Sequence, residues 1–336
     1  MINSIYLEIT SACNYKCTFC PHPQMKRAKR HMKKDVAINA LNQIKETGVI
    51  NQVYFNYLGE PLLSPILFEC LEYGKKLELN TNIITNGSLL NPESIKKIKK
   101  SNLDSIKVSY ETPDKKSFKL RGNSTYNTEE VLKNTIKLIK ALKATKTKIH
   151  IVLMVTGGKH PETLNNISII DDLKSLQRLV KNLYKKIEQV TSLYPYSEIK
   201  KKVNNISWEK WNEDIQINDN IILDIRPIFN WGNVLNDKKV YPMNYGTCDQ
   251  ALKEEMGILV KGDVVLCCID VEGDTKIGNI TDTHLKDILS SERTIDIMND
   301  FQNGILKLKK CQHCKGTTSY SKHLIDKVKF KLKKFI

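Results

Sequence analysis

At 336 residues the chain is long enough for one large domain with a small one appended, and the lack of any apolar run of about 18 residues excludes a helical membrane span. Its formal net charge of +16 comes from 53 Lys and Arg against 37 Asp and Glu; these are mostly lysines spread over helix faces without interleaved aromatics, which argues against a nucleic-acid-binding protein. The chain enters its first strand almost at once, with no signal peptide, and thiols read as metal ligands suit a reducing compartment, so a cytoplasmic location is expected.

The run 5–9 alternates apolar and polar residues and predicts a strand. Cys13, Cys17 and Cys20 follow it as C-x3-C-x2-C, with Phe19 just before the third. Three thiolates on one short loop suit an iron–sulfur cube, in which cysteines hold three irons and the fourth iron has no protein ligand. A zinc knuckle is the alternative, because His22 stands near enough in sequence to act as a fourth ligand, although zinc sites more often use paired C-x2-C spacing. A basic stretch, 26–34, follows.

Strand-like runs near 53–57, 79–85, 104–110 and 148–156 then alternate with helical periodicity near 34–47, 65–77, 91–101 and 128–145. Repeated βα units build parallel sheets whose ligands gather at the C-terminal ends of the strands. The second strand runs into Leu58-Gly59-Glu60-Pro61, the third stops at the turn signal Thr85-Asn86-Gly87, and the fourth carries Ser109 before Glu111-Thr112-Pro113. Arg121-Gly122 comes about a dozen residues later; a planar guanidinium is the right partner for a carboxylate, and an ordinary surface arginine is the bland reading. Cys70, within the helix 65–77, reads as a small buried apolar residue. A polar, lysine-rich insertion spans 157–220, with an amphipathic helix over 171–193 built on Leu173, Leu176, Leu179, Val180, Leu183 and Ile187. A sixth strand is expected over 221–227, where Arg226 is a candidate for substrate orientation.

A second group of cysteines lies in the last quarter: Cys248, Cys267, Cys268, Cys311 and Cys314. The segment 257–268 reads as a hairpin turning at Lys261-Gly262-Asp263, and a helical stretch through Leu285, Ile288, Ile295 and Met298 leads to Cys311-Gln312-His313-Cys314. Four cysteines fit a zinc ribbon as well as an iron–sulfur cluster. Neighbouring residues on a strand point to opposite faces, so only one of Cys267 and Cys268 is expected to ligate. The tail, 322–336, sets Leu324, Val328, Leu332 and Phe335 on one helical stripe among lysines, a pattern suited to an anionic membrane or a reductase surface.

The cysteine triplet, Gly59-Glu60-Pro61 and the strand-end residues together resemble the radical S-adenosylmethionine (SAM) enzymes. The resemblance implies a partial (β/α)6 TIM-like barrel over 1–230, with the insertion inside it. It implies a 4Fe-4S cluster on Cys13, Cys17 and Cys20 whose open iron chelates SAM, which the reduced cluster cleaves to a 5′-deoxyadenosyl radical. Phe19, Gly59, Glu60, Pro61, Asn86, Ser109 and Arg121 would face that cofactor, Arg121 pairing with its carboxylate. Leu58 departs from the family's G-G-E-P stretch. The segment 245–318 resembles the SPASM domain in its shortened, twitch form, followed by a basic tail over 319–336. That implies a second 4Fe-4S cluster on Cys248, Cys267 or Cys268, Cys311 and Cys314, with Cys267 favoured by the family's G-x-V-x-x-C spacing.

A cluster with four cysteine ligands has no open iron and is suited to accept an electron. The expected reaction is therefore oxidation of a sugar, cyclitol or other small metabolite, as in the radical dehydrogenases of aminocyclitol biosynthesis, with a flavodoxin or ferredoxin as electron donor. No residue of the sequence identifies the catalytic base. Peptide modification, RNA modification and a non-enzymatic zinc protein are the alternatives; peptide-modifying relatives usually carry a leader-binding domain and a fuller cysteine set, and no RNA-binding module is visible.

Overall fold

The computed structural model describes residues 3–123, 125–156, 167–207, 211–246, 248 and 255–333. Of the expected features, 157–166 and 208–210 of the insertion, the side chain of Leu332, and Phe335 lie outside the described residues. The described elements are, in chain order, β1 (Ser4–Leu7), α1 (Lys34–Thr47), β2 (Gln52–Tyr54), α2 (Leu67–Lys76), β3 (Asn80–Thr85), α3 (Pro92–Ser101), β4 (Ser105–Val108), α4 (Lys115–Phe118), α5 (Thr128–Leu142), β5 (Lys148–Val155), α6 (Leu173–Ile187) and α7 (Tyr196–Asn204). They continue with β6 (Glu213–Gln216), β7 (Ile221–Pro227), β8 (Glu255–Ile258), β9 (Asp263–Val265), β10 (Lys276–Asn279), α8 (Leu285–Ser290), α9 (Glu292–Gln302), α10 (Lys309–Cys314) and α11 (Tyr320–Lys333).

By contact the chain divides into two compact units, one of Met1–Ala12, Cys20–Gly59 and Asn230–Ile336, the other of Cys13–Phe19 and Glu60–Phe229. This cut differs from the expected segments 1–230 and 245–318. The reason is strand pairing: β1 runs parallel to β8, Ser4 against Glu255 through Leu7 against Ile258, so the first strand travels with the C-terminal segment.

In the first unit β1 pairs in parallel with β2, and β8, β9 and β10 form an antiparallel meander. The turn joining β8 to β9 has Gly262 at φ 87°, where a side chain is strained. Leu58, the departure from G-G-E-P, is 6% exposed in an apolar cluster with Met25, Tyr57, Leu259, Val265 and Val271. A glycine there would leave that cluster short of one large side chain.

In the second unit β3, β4, β5 and β7 are parallel and adjacent, and β6, an antiparallel edge strand absent from the sequence expectation, pairs with β7. One face is apolar: Ile106, Val108, Ile149, Ile151, Leu153, Leu223 and Ile225 are buried. The helices start where side chains satisfy their first N–H groups. Asn91 and Ser94 form a capping box at α3, Asn127 caps α5 and Asp172 caps α6. Cys70 of α2 is fully buried, as its apolar surroundings in sequence suggested.

The opposite face carries charge, as the period of two requires. Asp224 of β7 accepts from His150 Nδ1 at 2.9 Å and from Lys107 Nζ at 3.4 Å. Burial would raise the Asp224 carboxyl, but His150, Lys107 and Arg226 outweigh it and hold the carboxyl below the usual carboxylate range. Arg226 is paired with Asp214 of β6 and lies 3.7 Å from Asp224, so its guanidinium is engaged in tying the edge strand to β7.

Candidate functional site

The loop 13–20 is fixed by its backbone. Within the second unit Lys16 N donates to Arg121 O at 2.9 Å and Thr18 N to Leu120 O at 2.8 Å. Gly122 makes this approach feasible: it sits at φ 59°, and a Cβ there would lie 2.6 Å from Lys16 O. Asn123 Nδ2 donates to Asn14 O at 2.7 Å. Asn14 in turn donates to Ser88 Oγ at 2.8 Å and accepts from Asn86 Nδ2 at 2.9 Å. Asn86 Nδ2 also stands 4.0 Å from Cys13 Sγ. The structure thus brings Asn86, at the end of β3, to the first cysteine.

Arg121 meets the second. Its guanidinium is 4% exposed, donates from Nε to Thr112 Oγ1 at 2.9 Å and from NH2 to Ser109 O at 2.6 Å, and places NH1 3.9 Å from Cys17 Sγ. Glu111 Oε2 lies 3.4 Å from NH2, and the rings of Tyr15 and Phe19 each have their centroids 5.5 Å from its central carbon. Burial raises the Cys17 thiol, and Arg121 partly offsets the rise. Burial likewise pushes Cys13 up to about 11. Ser109 reaches this centre through its carbonyl to Arg121 and its side chain toward Glu111.

Glu60 is buried, and burial pushes its carboxyl up to about 7 even though it accepts from Asn86 N at 2.7 Å, Thr85 Oγ1 at 2.8 Å and Leu62 N at 3.1 Å. It therefore orders the end of β3 and opens the short helical turn that begins at Pro61. In the first unit, a Cβ on Gly59 would lie 2.2 Å from Thr10 O and 2.8 Å from Ala12 O. Gly59→Ala should therefore displace backbone on either side and destabilise the protein by at least about 2 kcal/mol, the scale of overpacking, as read by urea unfolding. An unchanged midpoint would mean that this approach is not a constraint.

His22 is 2% exposed and directs Nε2 to Ser11 O at 2.9 Å. Among the described residues no three His, Cys, Asp or Glu side chains are arranged to hold a single metal ion.

The second cysteine group surrounds a cavity of about 30 Å³ in the first unit, lined by Cys248, Cys267, Cys311 and Cys314 together with Asp270 and Lys310. α10 presents Cys311 and Cys314 three residues apart on one helical face. Burial and the neighbouring thiols push Cys311 up to about 12, and burial and Cys267 push Cys314 up to about 11. Cys311 and Cys314, which burial holds as thiols, need a cationic centre to become thiolates, and an iron–sulfur cube held by four cysteines, the number that lines this cavity, supplies one. The donor set fits that group.

Cys267 and Cys268 lie beyond the end of β9, in a turn closed by Asp270 N to Cys267 O at 3.2 Å. Strand alternation therefore does not separate them. The turn does: Cys267 lines the cavity, whereas Cys268 Sγ lies 3.6 Å from Glu255 Oε2. The hydrogen bond from the Cys268 thiol lowers Cys267 and raises Cys268. Tyr57 Oη clamps the turn, donating to Cys267 O at 2.6 Å and Asp270 O at 2.9 Å.

Sequence reasoning missed the strap Trp231-Gly232-Asn233, whose three residues have φ of 51°, 63° and 67°. A Cβ on Gly232 would lie 2.6 Å from Cys314 Sγ, and Asn233 Nδ2 reaches the carbonyls of His313, Cys314 and Gly316 at 3.0–3.1 Å. The Gly-Asn pair was the available signal, since both residues tolerate left-handed backbone.

Three cysteines on the loop after β1 of a parallel α/β fold, and a four-cysteine cavity within the first unit, are the donor sets of an iron–sulfur protein. Residues 7–167 match the radical SAM superfamily, and residues 248–315 match SPASM, an iron–sulfur cluster-binding domain. The chain belongs to the radical SAM superfamily and carries a SPASM domain; its cofactors are SAM and 4Fe-4S clusters.

It is 25% identical over 207 residues to the tungsten-containing aldehyde ferredoxin oxidoreductase cofactor-modifying protein of Pyrococcus furiosus, covering 61% of this chain and 55% of that one. It is 31% identical over 109 residues to the PqqA peptide cyclase of Gluconobacter oxydans, covering 32% and 30%. The chain thus spans about half the length, or less, of these curated relatives. Its fold is like that of BtrN in complex with AdoMet and 2-DOIA, with a TM-score of 0.53 and 14% identity over 90% of this chain and 88% of that one. This likeness shows the partial-barrel fold with its C-terminal cluster domain. No described helix is long and apolar enough to cross a membrane.

Proposed function

We propose that this radical SAM enzyme oxidises a small metabolite, a sugar or cyclitol, with a second cluster as the electron acceptor. The observation that carries the reading is the four-thiol cavity, because a centre held by four cysteines has no position left for substrate. Cys13, Cys17 and Cys20 hold the first cluster and Cys248, Cys267, Cys311 and Cys314 the second. When bound, the first cluster and SAM supply the radical that takes a hydrogen from a substrate C–H bond.

The chain's own residues order that site. Asn86 and the Glu60 carboxylate brace the loop and the end of β3, while Gly59 and Pro61 shape the backbone beside them. Phe19 and Ser109 hold Arg121, whose donors are engaged by Glu111, Thr112, Ser109 and Cys17. Arg121 thus supports the cysteine loop and reaches the SAM carboxylate only by exchanging one of these partners. A flavodoxin or ferredoxin supplies the reducing electron.

The test is product mass spectrometry on the anaerobic enzyme with candidate cyclitols deuterated at carbon. The reading requires a product lighter by two hydrogens, with deuterium in 5′-deoxyadenosine. A product lighter by water, or an isomer, overturns the oxidation. The second reading, peptide modification, is favoured by the likeness to the PqqA peptide cyclase; a cross-linked peptide product would establish it instead.

The adjacent cysteines give a sharper expectation. Cys267→Ala should strip the second cluster or leave it labile, whereas Cys268→Ala should change iron content little, because that thiol lies against Glu255. Iron analysis and paramagnetic resonance of the two single variants read the difference, and equal losses would mean that both thiols face the cluster.

A further inference from the structure

The helix α11 is joined to its unit through one side. His323 is 7% exposed; its ring lies 5.9 Å from that of Tyr241, which also stands 5.2 Å from Tyr320. Other side chains of the helix are open to solvent: Leu324 is 47% exposed, Ile325 53% and Val328 56%, and Tyr320, although it packs beside Tyr241, keeps 57%. The other exposed large apolar side chains among the described residues, Val49, Phe229 and Ile295, lie far from these four in sequence and belong to other elements.

Tyr320, Leu324 and Val328 follow at intervals of four residues, and Ile325 lies three before Val328, so the four form one stripe. By sequence, Lys322, Lys327, Lys329, Lys331, Lys333 and Lys334 stand against Asp326 as the single acid of 320–334. An apolar stripe bordered by lysines is the pattern of a helix that lies in a lipid–water interface, its apolar side among the acyl chains and its ammonium groups at anionic headgroups.

We infer that α11 docks this enzyme on an anionic phospholipid surface. Charge complementarity decides the occupant. A second copy of the helix would bring five lysines against five, with one aspartate on each side to offset them. An acidic redox protein would match the lysines, but the weak contacts of such proteins are small and do not call for a four-residue aliphatic and aromatic ridge. A membrane rich in anionic lipid takes both the ridge and the charge. Docking here needs no spanning helix, and α11 at 14 residues is too short for one.

The test uses the full-length, anaerobically purified protein and two vesicle preparations, phosphatidylcholine alone and phosphatidylcholine with phosphatidylglycerol. Flotation should recover the protein with the anionic vesicles and not the neutral ones, and raised salt should release it, since the attraction is screened. Leu324→Glu with Val328→Glu should lower partitioning by about tenfold or more, because it puts carboxylates on the inserted face. Lys322→Glu with Lys327→Glu should lower it several-fold while leaving the ridge intact. All four side chains are exposed or half-buried at the surface, so both variants should keep the parent melting temperature, which verifies that a loss of binding is not a loss of fold.

Absence of flotation with anionic vesicles overturns the inference, as does equal recovery with neutral ones or recovery unchanged in both variants. A dimer of the lipid-free protein that Leu324→Glu with Val328→Glu dissolves would assign the ridge to a second copy instead. Retention of the lipid-free protein on an immobilised acidic ferredoxin, lost in both variants, would assign it to a redox partner.

Discussion

Replacing Cys13, Cys17 and Cys20 together by Ala is expected to remove about half of the iron, four of about eight per chain on the basis of four per cube, and all cleavage of SAM. The expectation is large because the three substitutions remove every thiol of the loop at once, and His22, the nearest histidine in sequence, is turned to the Ser11 carbonyl. The fold should survive. The loop is held through Lys16 N to Arg121 O and Thr18 N to Leu120 O, bonds that involve no thiol. Iron analysis, melting temperature and chromatography of 5′-deoxyadenosine measure the three parts separately. A triple variant that still produced 5′-deoxyadenosine would remove the first cluster from this loop, whatever its iron content.

Much of this site was legible in the sequence, because its chemistry is coded in residue type and spacing. C-x3-C-x2-C marks a cluster loop before any strand is placed, and period-two runs put Gly59, Asn86 and Ser109 at strand ends. The less legible parts share a cause: they depend on backbone angles or on tertiary neighbours. β6 has a single buried residue, Ile215, among Glu213, Asp214 and Gln216, so it shows no alternation and reads as loop. Its place is set by pairing with β7 and by the Asp214–Arg226 contact.

The strap at Gly232 is only half-legible for the same reason, since Gly-Asn permits left-handed backbone but nothing in Trp-Gly-Asn requires three such residues in a row. Cys267 and Cys268 teach a related lesson. Alternation along a strand predicts their divergence, but β9 ends at Val265. The turn clamped by Tyr57 produces that divergence by different means. Resemblance implies Arg121 as a carboxylate partner, and only the packed structure reveals Glu111 and Cys17 as its neighbours.

The second cluster should be separable from the first. Cys311→Ala together with Cys314→Ala is expected to remove the iron held at the four-thiol cavity while SAM cleavage continues, because the bonds from Arg121, Asn86 and Asn14 that brace Cys13 and Cys17 involve neither of these thiols. Substrate oxidation should collapse to the detection limit, since a substrate radical without an electron acceptor can only recover its hydrogen or decay. Deuterium would then pass from substrate into 5′-deoxyadenosine without product. α10 itself should persist in part, for Asn233 holds the carbonyls of His313, Cys314 and Gly316 and Gln312 N donates to Leu308 O at 3.0 Å, none of which needs the thiols. Full product formation in the double variant would exclude the electron-acceptor role and make the second cluster a folding element, as metal sites of small domains often are. A fall in melting temperature with turnover per folded molecule unchanged would be its signature.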